Sequence, residues 1–239
     1  MTAIKHHKKR NSPSPSDDGL SLGRRAYEQL REAIETGKLK PGSPVRETDL
    51  ATQLDMSRTP IQRAITWLEG DGLIAHEPYR GRVIARLDYQ MVIELYVIRL
   101  VLEPAGAALA ARNASEVEIS ALRDMLELER ELLGDSLRRE RHNRLFHEAI
   151  YRGAHNRYLL NALNALYSPM LLLGHATEMD PSRLQTAYGE HREMVAAIER
   201  RDAEAAEAVM REHLKRGQKV RVEAMLKRLS QRGESTKQQ

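Results

Sequence analysis

The sequence predicts a mainly α-helical protein: an N-terminal helix-turn-helix closed by a small hairpin, followed by an all-α bundle of about six helices. Three observations carry this reading. Hydrophobic residues make up 41% of the 239 residues but aromatics only 4%, with one Phe and one Trp, so the cores must be built from Leu, Ala, Ile, Val and Met. That composition favours helices over strands. A strand pattern appears around Leu73–Ala85, whereas from Tyr89 onward the apolar residues repeat at helical spacing.

Residues 1–20 contain KHHKKR followed by SPSPSDDG and have no periodicity. They are expected to form a disordered basic tail, with an arm that touches DNA as the alternative. Residues 21–86 form the first domain. Its first helix runs from about Arg24 to Thr36, with Ala26, Leu30, Ala33 and Ile34 on one face, and Gly37 ends it. A second helix runs from about Thr48 to Leu54, and Asp55 falls in a tight turn that needs a left-handed backbone. Ser57 is placed to cap a third helix, with Pro60 in its first turn. Ile61, Ala64, Ile65 and Leu68 repeat on one face of that helix and must point inward. Arg58, Thr59, Gln62, Arg63 and Thr66 are left outside. A strand then starts near Gly72, residues Tyr79–Arg82 turn, and Val83–Ala85 return, which places Arg80, Gly81 and Arg82 at a basic hairpin tip.

That order is a winged helix-turn-helix, which sets one helix in the major groove of double-stranded DNA. Arg suits guanine or phosphate, Gln suits adenine, and Ser and Thr suit phosphate. Charge agrees: residues 1–86 hold 15 Lys+Arg against 11 Asp+Glu, while the rest of the chain is balanced. No cysteine is present, which excludes a thiolate metal site and thiol catalysis. No apolar run of about 18 residues exists, so no membrane span is expected. The amino terminus lacks the apolar core of a signal peptide, and the expected location is cytoplasmic.

The segment SRTPIQRAITWLEGDGLI followed by PYRGRVIARL resembles the GntR family of bacterial transcription regulators, specifically in Ser57–Pro60, Leu68-Glu69 and Asp71–Ile74. The resemblance implies that Arg58 and the wing around Gly81 contact an operator. The family usually has Arg then Glu where this chain has Gln62 and Arg63, and an arginine found early in the second helix is replaced by Thr48, with Arg46 two residues before it. The operator sequence therefore does not transfer from relatives.

Residues 88–230 read as helices over about 89–112, 115–134, 137–154, 156–178, 181–200 and 202–229, and residues 231–239 as a disordered end. Three histidines lie on inward stripes: His147 with Asn143, Ile150 and Tyr151; His191 with Met194, Val195 and Ile198; His213 with Ala206, Met210 and Gly217. Imidazoles from three helices with a polar group one turn away suit a divalent transition metal such as zinc, nickel or manganese. Arg99 shares an inward stripe with Tyr96 and Glu103; it either pairs with Glu103 or grips a ligand carboxylate in bidentate fashion. Tyr96, Tyr151, Asn164 and His175 are candidates for the pocket wall by helix face.

The opening YVIRLVLEPAGAALAAR is similar to the helical FCD effector domain of the FadR subfamily. The resemblance implies a metal site at Asn143, His147, His191 and His213, with Asn143 where the family has an acid. A neutral amide there leaves a dication uncompensated, lowering metal affinity and raising the pull on an anionic ligand. The resemblance further implies a homodimer that represses transcription and senses a small organic or sugar acid. Two alternatives remain at this point: a regulator whose histidine site is purely structural or empty, and a metalloenzyme fused to a DNA-binding domain. No GxSxG, HExxH or phosphate-loop motif supports the latter.

Overall fold

The computed structural model describes residues 15–132, 136–173 and 181–236. The chain forms two compact units, one from residues up to Ile34 together with Leu39–Ile84, the other from Glu35–Lys38 and Ala85 onward. Among the described residues no helix is long and apolar enough to cross a membrane.

The first unit contains α1 (Pro15–Glu35), α2 (Glu47–Leu54), α3 (Arg58–Gly70), β1 (Ile74–Glu77) and β2 (Gly81–Ile84). Helix α1 begins nine residues before the expected Arg24, so residues 15–20 are helical and do not belong to a structureless tail. Pro15 takes the first helical position, where its missing N–H would have no partner anyway. The remainder of the expected tail, residues 1–14, lies outside the described residues. Ala26, Leu30 and Ile34 of α1 are buried, as are Leu50, Ile61, Ala64, Ile65, Leu68, Leu73, Ile74, Val83 and Ile84. Asp55 adopts φ 51° and ψ 49°, the left-handed turn that lets α3 leave α2 at a steep angle. The hairpin pairs Ile74 with Ile84 and His76 with Arg82, and a bridge from Pro44 to Val83 adds a short third edge.

The second unit contains α4 (Tyr89–Asn113), α5 (Glu116–Glu131), α6 (Ser136–Gly153), α7 (Arg157–Ala165), α8 (Tyr167–Leu172), α9 (Pro181–Glu199) and α10 (Ala203–Thr236). The expected helix over 156–178 is divided at Leu166. Pro169 has no N–H for the Ala165 carbonyl and its ring crowds that oxygen, so the chain closes α7 with a tighter bond from Leu166 N–H to Leu163 O, 3.0 Å, and restarts. Residues 231–236 continue α10, correcting the expected frayed end over that stretch; residues 237–239 lie outside the described residues. Ser115 and Glu118 form a reciprocal capping box that starts α5. Alanines 107, 110 and 111 of α4, with Ala114 just past its end, let neighbouring helices approach closely, around a core of Ile119, Leu122, Phe146, Ile150, Met194, Ile198 and Met210.

Candidate functional site

In the first unit, burial of one face of α3 exposes Arg58, Thr59, Gln62, Arg63 and Thr66, and Arg46, Thr48 and Ser57 are exposed beside them. Ser57 has the extended backbone of a cap, but its hydroxyl makes no cap bond. A residue that sequence reasoning passed over organises this surface. Glu47, in the first turn of α2, accepts a hydrogen bond from Gln62 Nε2 at 2.9 Å and another from Arg82 at 3.0 Å, and stands 3.7 Å from the Arg58 guanidinium. Arg82 is not at the hairpin tip. It lies inside β2, half-buried, and also bonds Glu69 at 2.7 Å, because its strand position turns it back over α3. The tip belongs to Tyr79, fully exposed at φ 64°, and to Arg80, which is held by Glu77 at 2.7 Å and the Gly42 carbonyl at 3.2 Å. Gly81 has φ 73°, a conformation that a side chain would strain. The stem of Arg63 lies against α1 at Gly23.

In the second unit, α6, α9 and α10 bring His147, His191 and His213 together. Their ring centroids are 5.4, 5.1 and 4.8 Å apart, and one ligand nitrogen from each lies within 4.8 Å of the others. All three are buried. Their hydrogen bonds fix the tautomers. The Tyr151 hydroxyl donates to Glu103 Oε2 at 2.5 Å, so its contact with His147 Nδ1 at 3.1 Å must be accepted from that nitrogen. His191 Nδ1 faces the Glu129 carboxylate at 2.9 and 3.0 Å, and His213 Nδ1 faces Glu190 at 2.6 Å; a carboxylate only accepts. Each ring therefore holds its Nδ1 proton in a hydrogen bond, which leaves Nε2 as its ligand nitrogen. The Nε2 of His191 is buried with no hydrogen-bond partner.

Electrostatics keep His147 and His213 neutral. Burial, then the nearby His213, His191 and Arg99, pushes His147 well below its ordinary value. Burial also lowers His213 to about 4, against the raising effect of Glu190. Burial acts to raise Glu190 itself, but hydrogen bonds from His213 and Arg216 and the charge of Arg183 hold it at about 2. Neutral imidazoles with carboxylates behind them are suited to a metal, since a carboxylate on the far nitrogen orients the ring and raises its basicity. Against the expectation that a dication beside Asn143 would be uncompensated stands the carboxylate of Glu129 behind His191, while Glu190 is already paired with Arg183 and Arg216. Glu129 was legible as an acid on the inward stripe Ile119, Leu122, Leu126.

A cavity of about 190 Å³ opens beside the triad, and Asn143, His147, Tyr151, Tyr96, Arg99 and Asn164 line it. Arg99 is buried and bonds Glu103 at 2.5 Å while resting 4.8 Å from the centre of the Tyr96 ring, so its charge is satisfied within the protein. Of the two readings left open for Arg99, the internal pair is the one present. His175 lies outside the described residues.

Comparison with known proteins bears on both units. Residues 22–84 match the model of the gntR family of bacterial regulatory proteins, and residues 94–216 match the FCD domain. The chain is 32% identical to the HTH-type transcriptional regulator YdhC of Bacillus subtilis over 183 residues, 75% of this chain and 82% of YdhC. It is 33% identical over 184 residues, 76% and 80% of the two chains, to a Paenarthrobacter nicotinovorans protein named "Probable D-xylose utilization operon transcriptional repressor". The solved structure of McbR/YncC from Escherichia coli superposes with a TM-score of 0.75 at 23% identity, over 85% of this chain and 98% of that one, and shows the same fold.

Proposed function

The chain belongs to the GntR family of bacterial regulatory proteins and carries an FCD domain, and from that premise we propose that it is a metal-dependent repressor released from its operator, or tightened on it, by a small carboxylate. It is a DNA-binding transcription regulator, as its families and relatives are, and not an enzyme. The observation that carries the proposal is the convergence of three buried histidines, with every Nδ1 engaged in a hydrogen bond and one ligand nitrogen of each within 4.8 Å of the others. His147, His191 and His213, with the Asn143 amide oxygen, would hold a divalent transition ion, zinc or nickel before a hard cation such as magnesium. Such an ion supplies an open coordination position for a carboxylate oxygen.

Operator contact is assigned to Arg46, Thr48, Ser57, Arg58, Thr59 and Gln62, with Arg80 and Gly81 on the wing. Arg63 serves the backbone at most, since its stem lies toward α1. A homodimer is supported by an exposed apolar stripe on α4, formed by Met91, Val97, Ile98 and Val101, since a solvated helix does not keep such a face bare. Two copies would then meet two half-sites of a pseudo-palindrome.

The test is a thermal-shift screen of small carboxylates against zinc-loaded and chelator-treated protein, followed by operator binding. The expected result is a stabilising acid that acts only with metal present and changes operator affinity. Equal stabilisation with and without metal would remove the ion from the sensing role.

A further inference from the structure

Arg139 is a charge that the site described so far leaves over. It is 8% exposed, it lines the cavity, and its Nε is buried without a hydrogen-bond partner. The other cavity arginines differ: Arg99 has Glu103, Arg144 has Glu35, Arg183 has Glu190 at 3.1 Å, and Arg221 has Glu140 at 3.3 Å. The acids bearing on Arg139 are Glu140, its chain neighbour, and Glu129, already engaged by His191, while Arg221 adds a like charge. Arg139 also sits in the first turn of α6, where the helix dipole disfavours a cation. A buried cation with no hydrogen-bond or ion-pair partner among the described residues, and no favourable dipole, calls for an anion from outside the chain.

Its placement gives that anion a position. Arg139, Asn143 and His147 fall four residues apart on one stripe of α6, and all three line the cavity. At 1.5 Å rise per residue, Arg139 stands about 6 Å along the helix from Asn143 and about 12 Å from His147. The cavity therefore has a histidine end and an arginine end. Arg183, whose own Nε is buried without a hydrogen-bond partner, also lines it.

We propose that Arg139 binds a second anionic group of the effector, so that this chain recognises a short dicarboxylate in preference to a monocarboxylate. The inference rests on the reading above that the cavity takes a small acid. The test uses the full chain loaded with zinc, as wild type and as Arg139→Met, which keeps most of the stem and removes the charge. Malonate, succinate, glutarate and adipate are titrated by calorimetry against monocarboxylates of matched length. The expected result is a dicarboxylate that binds the wild type about tenfold or more tighter than its matched monocarboxylate, and a loss of that preference in Arg139→Met. The ligand-free variant should melt at or above the wild-type temperature with its zinc content unchanged. Equal affinity for both acid classes in the wild type, or a preference that survives in Arg139→Met, overturns the role of Arg139 and leaves the small-acid reading intact. A ligand-free melting temperature lowered by several degrees overturns it too, since Arg139 would then be satisfied inside the fold. Failure of every acid to bind sinks the small-acid reading, and this inference with it.

Discussion

The two units use the same device, a carboxylate that gathers nitrogen donors, in opposite surroundings. On the reader, Glu47 collects Gln62, Arg82 and the approach of Arg58 at a surface open to water. In the bundle, Glu129, Glu190 and Glu103 hold His191, His213 and Arg99 away from it. Exposed ion pairs contribute about 0–1 kcal/mol and exchange readily for phosphate, whereas breaking a buried pair strands a charge at about 3–5 kcal/mol. The first arrangement holds side chains of the proposed operator-contact surface; the second fixes the geometry of a buried cluster. Residues that look alike in the sequence, acids one or two turns from arginines, thus have separate roles set by burial.

The contrast is most easily broken at Glu103. Glu103→Ala leaves Arg99 buried without its partner and should cost about 3–5 kcal/mol in urea unfolding; an unchanged midpoint would mean that water reaches Arg99. Glu129→Gln, which keeps the shape and removes the charge behind His191, should weaken zinc binding about 10–100-fold with the fold retained. Calorimetry that finds wild-type affinity would make Glu129 a bystander.

Acid should act on the bundle as well. His213, held to about 4, binds fewer protons in the folded chain than in the unfolded chain between pH 6.5 and 4. Its neutral form is compatible with the fold at full stability above pH 6.5, and stability falls as pH drops through that window. Melting curves of chelator-treated protein should show the decline, and a His213→Gln variant should show less of it.

On the reader the effects are smaller or confined to DNA. Arg58→Ala should cost about 1–3 kcal/mol of operator binding without changing the melting temperature, as read by fluorescence anisotropy. Glu47→Gln should change stability by less than about 1 kcal/mol. Its clearer effect should be on which half-site is preferred, since the Gln62 amide loses the acceptor that orients it.

Much of this was legible in the sequence where a stripe sets direction. Helical spacing alone turned His147, His191 and His213 inward, and the apolar face of α3 dictated which of its residues stay exposed. What the spacing does not carry is contact across helices: His191 meets Glu129 from 62 positions away, and no periodicity announces that partner. Local chemistry was under-read in two places. Pro169 marked the break that separates α7 from α8, and the alternation of β2 would have placed Arg82 against α3 instead of at the tip. Glu47 is an acid in the first turn of α2, and its partners Gln62 and Arg82 come from α3 and β2, which only the assembled fold brings to it.

On the proposed reading, three buried histidines whose Nδ1 atoms are held by hydrogen bonds form a metal centre despite Asn143. Elemental analysis of untagged protein, dialysed against zinc and then against buffer, tests it most directly. The expected result is close to one ion per chain, lost in His191→Ala while the helical content stays unchanged. A wild-type chain that retains no more zinc than His191→Ala would contradict it.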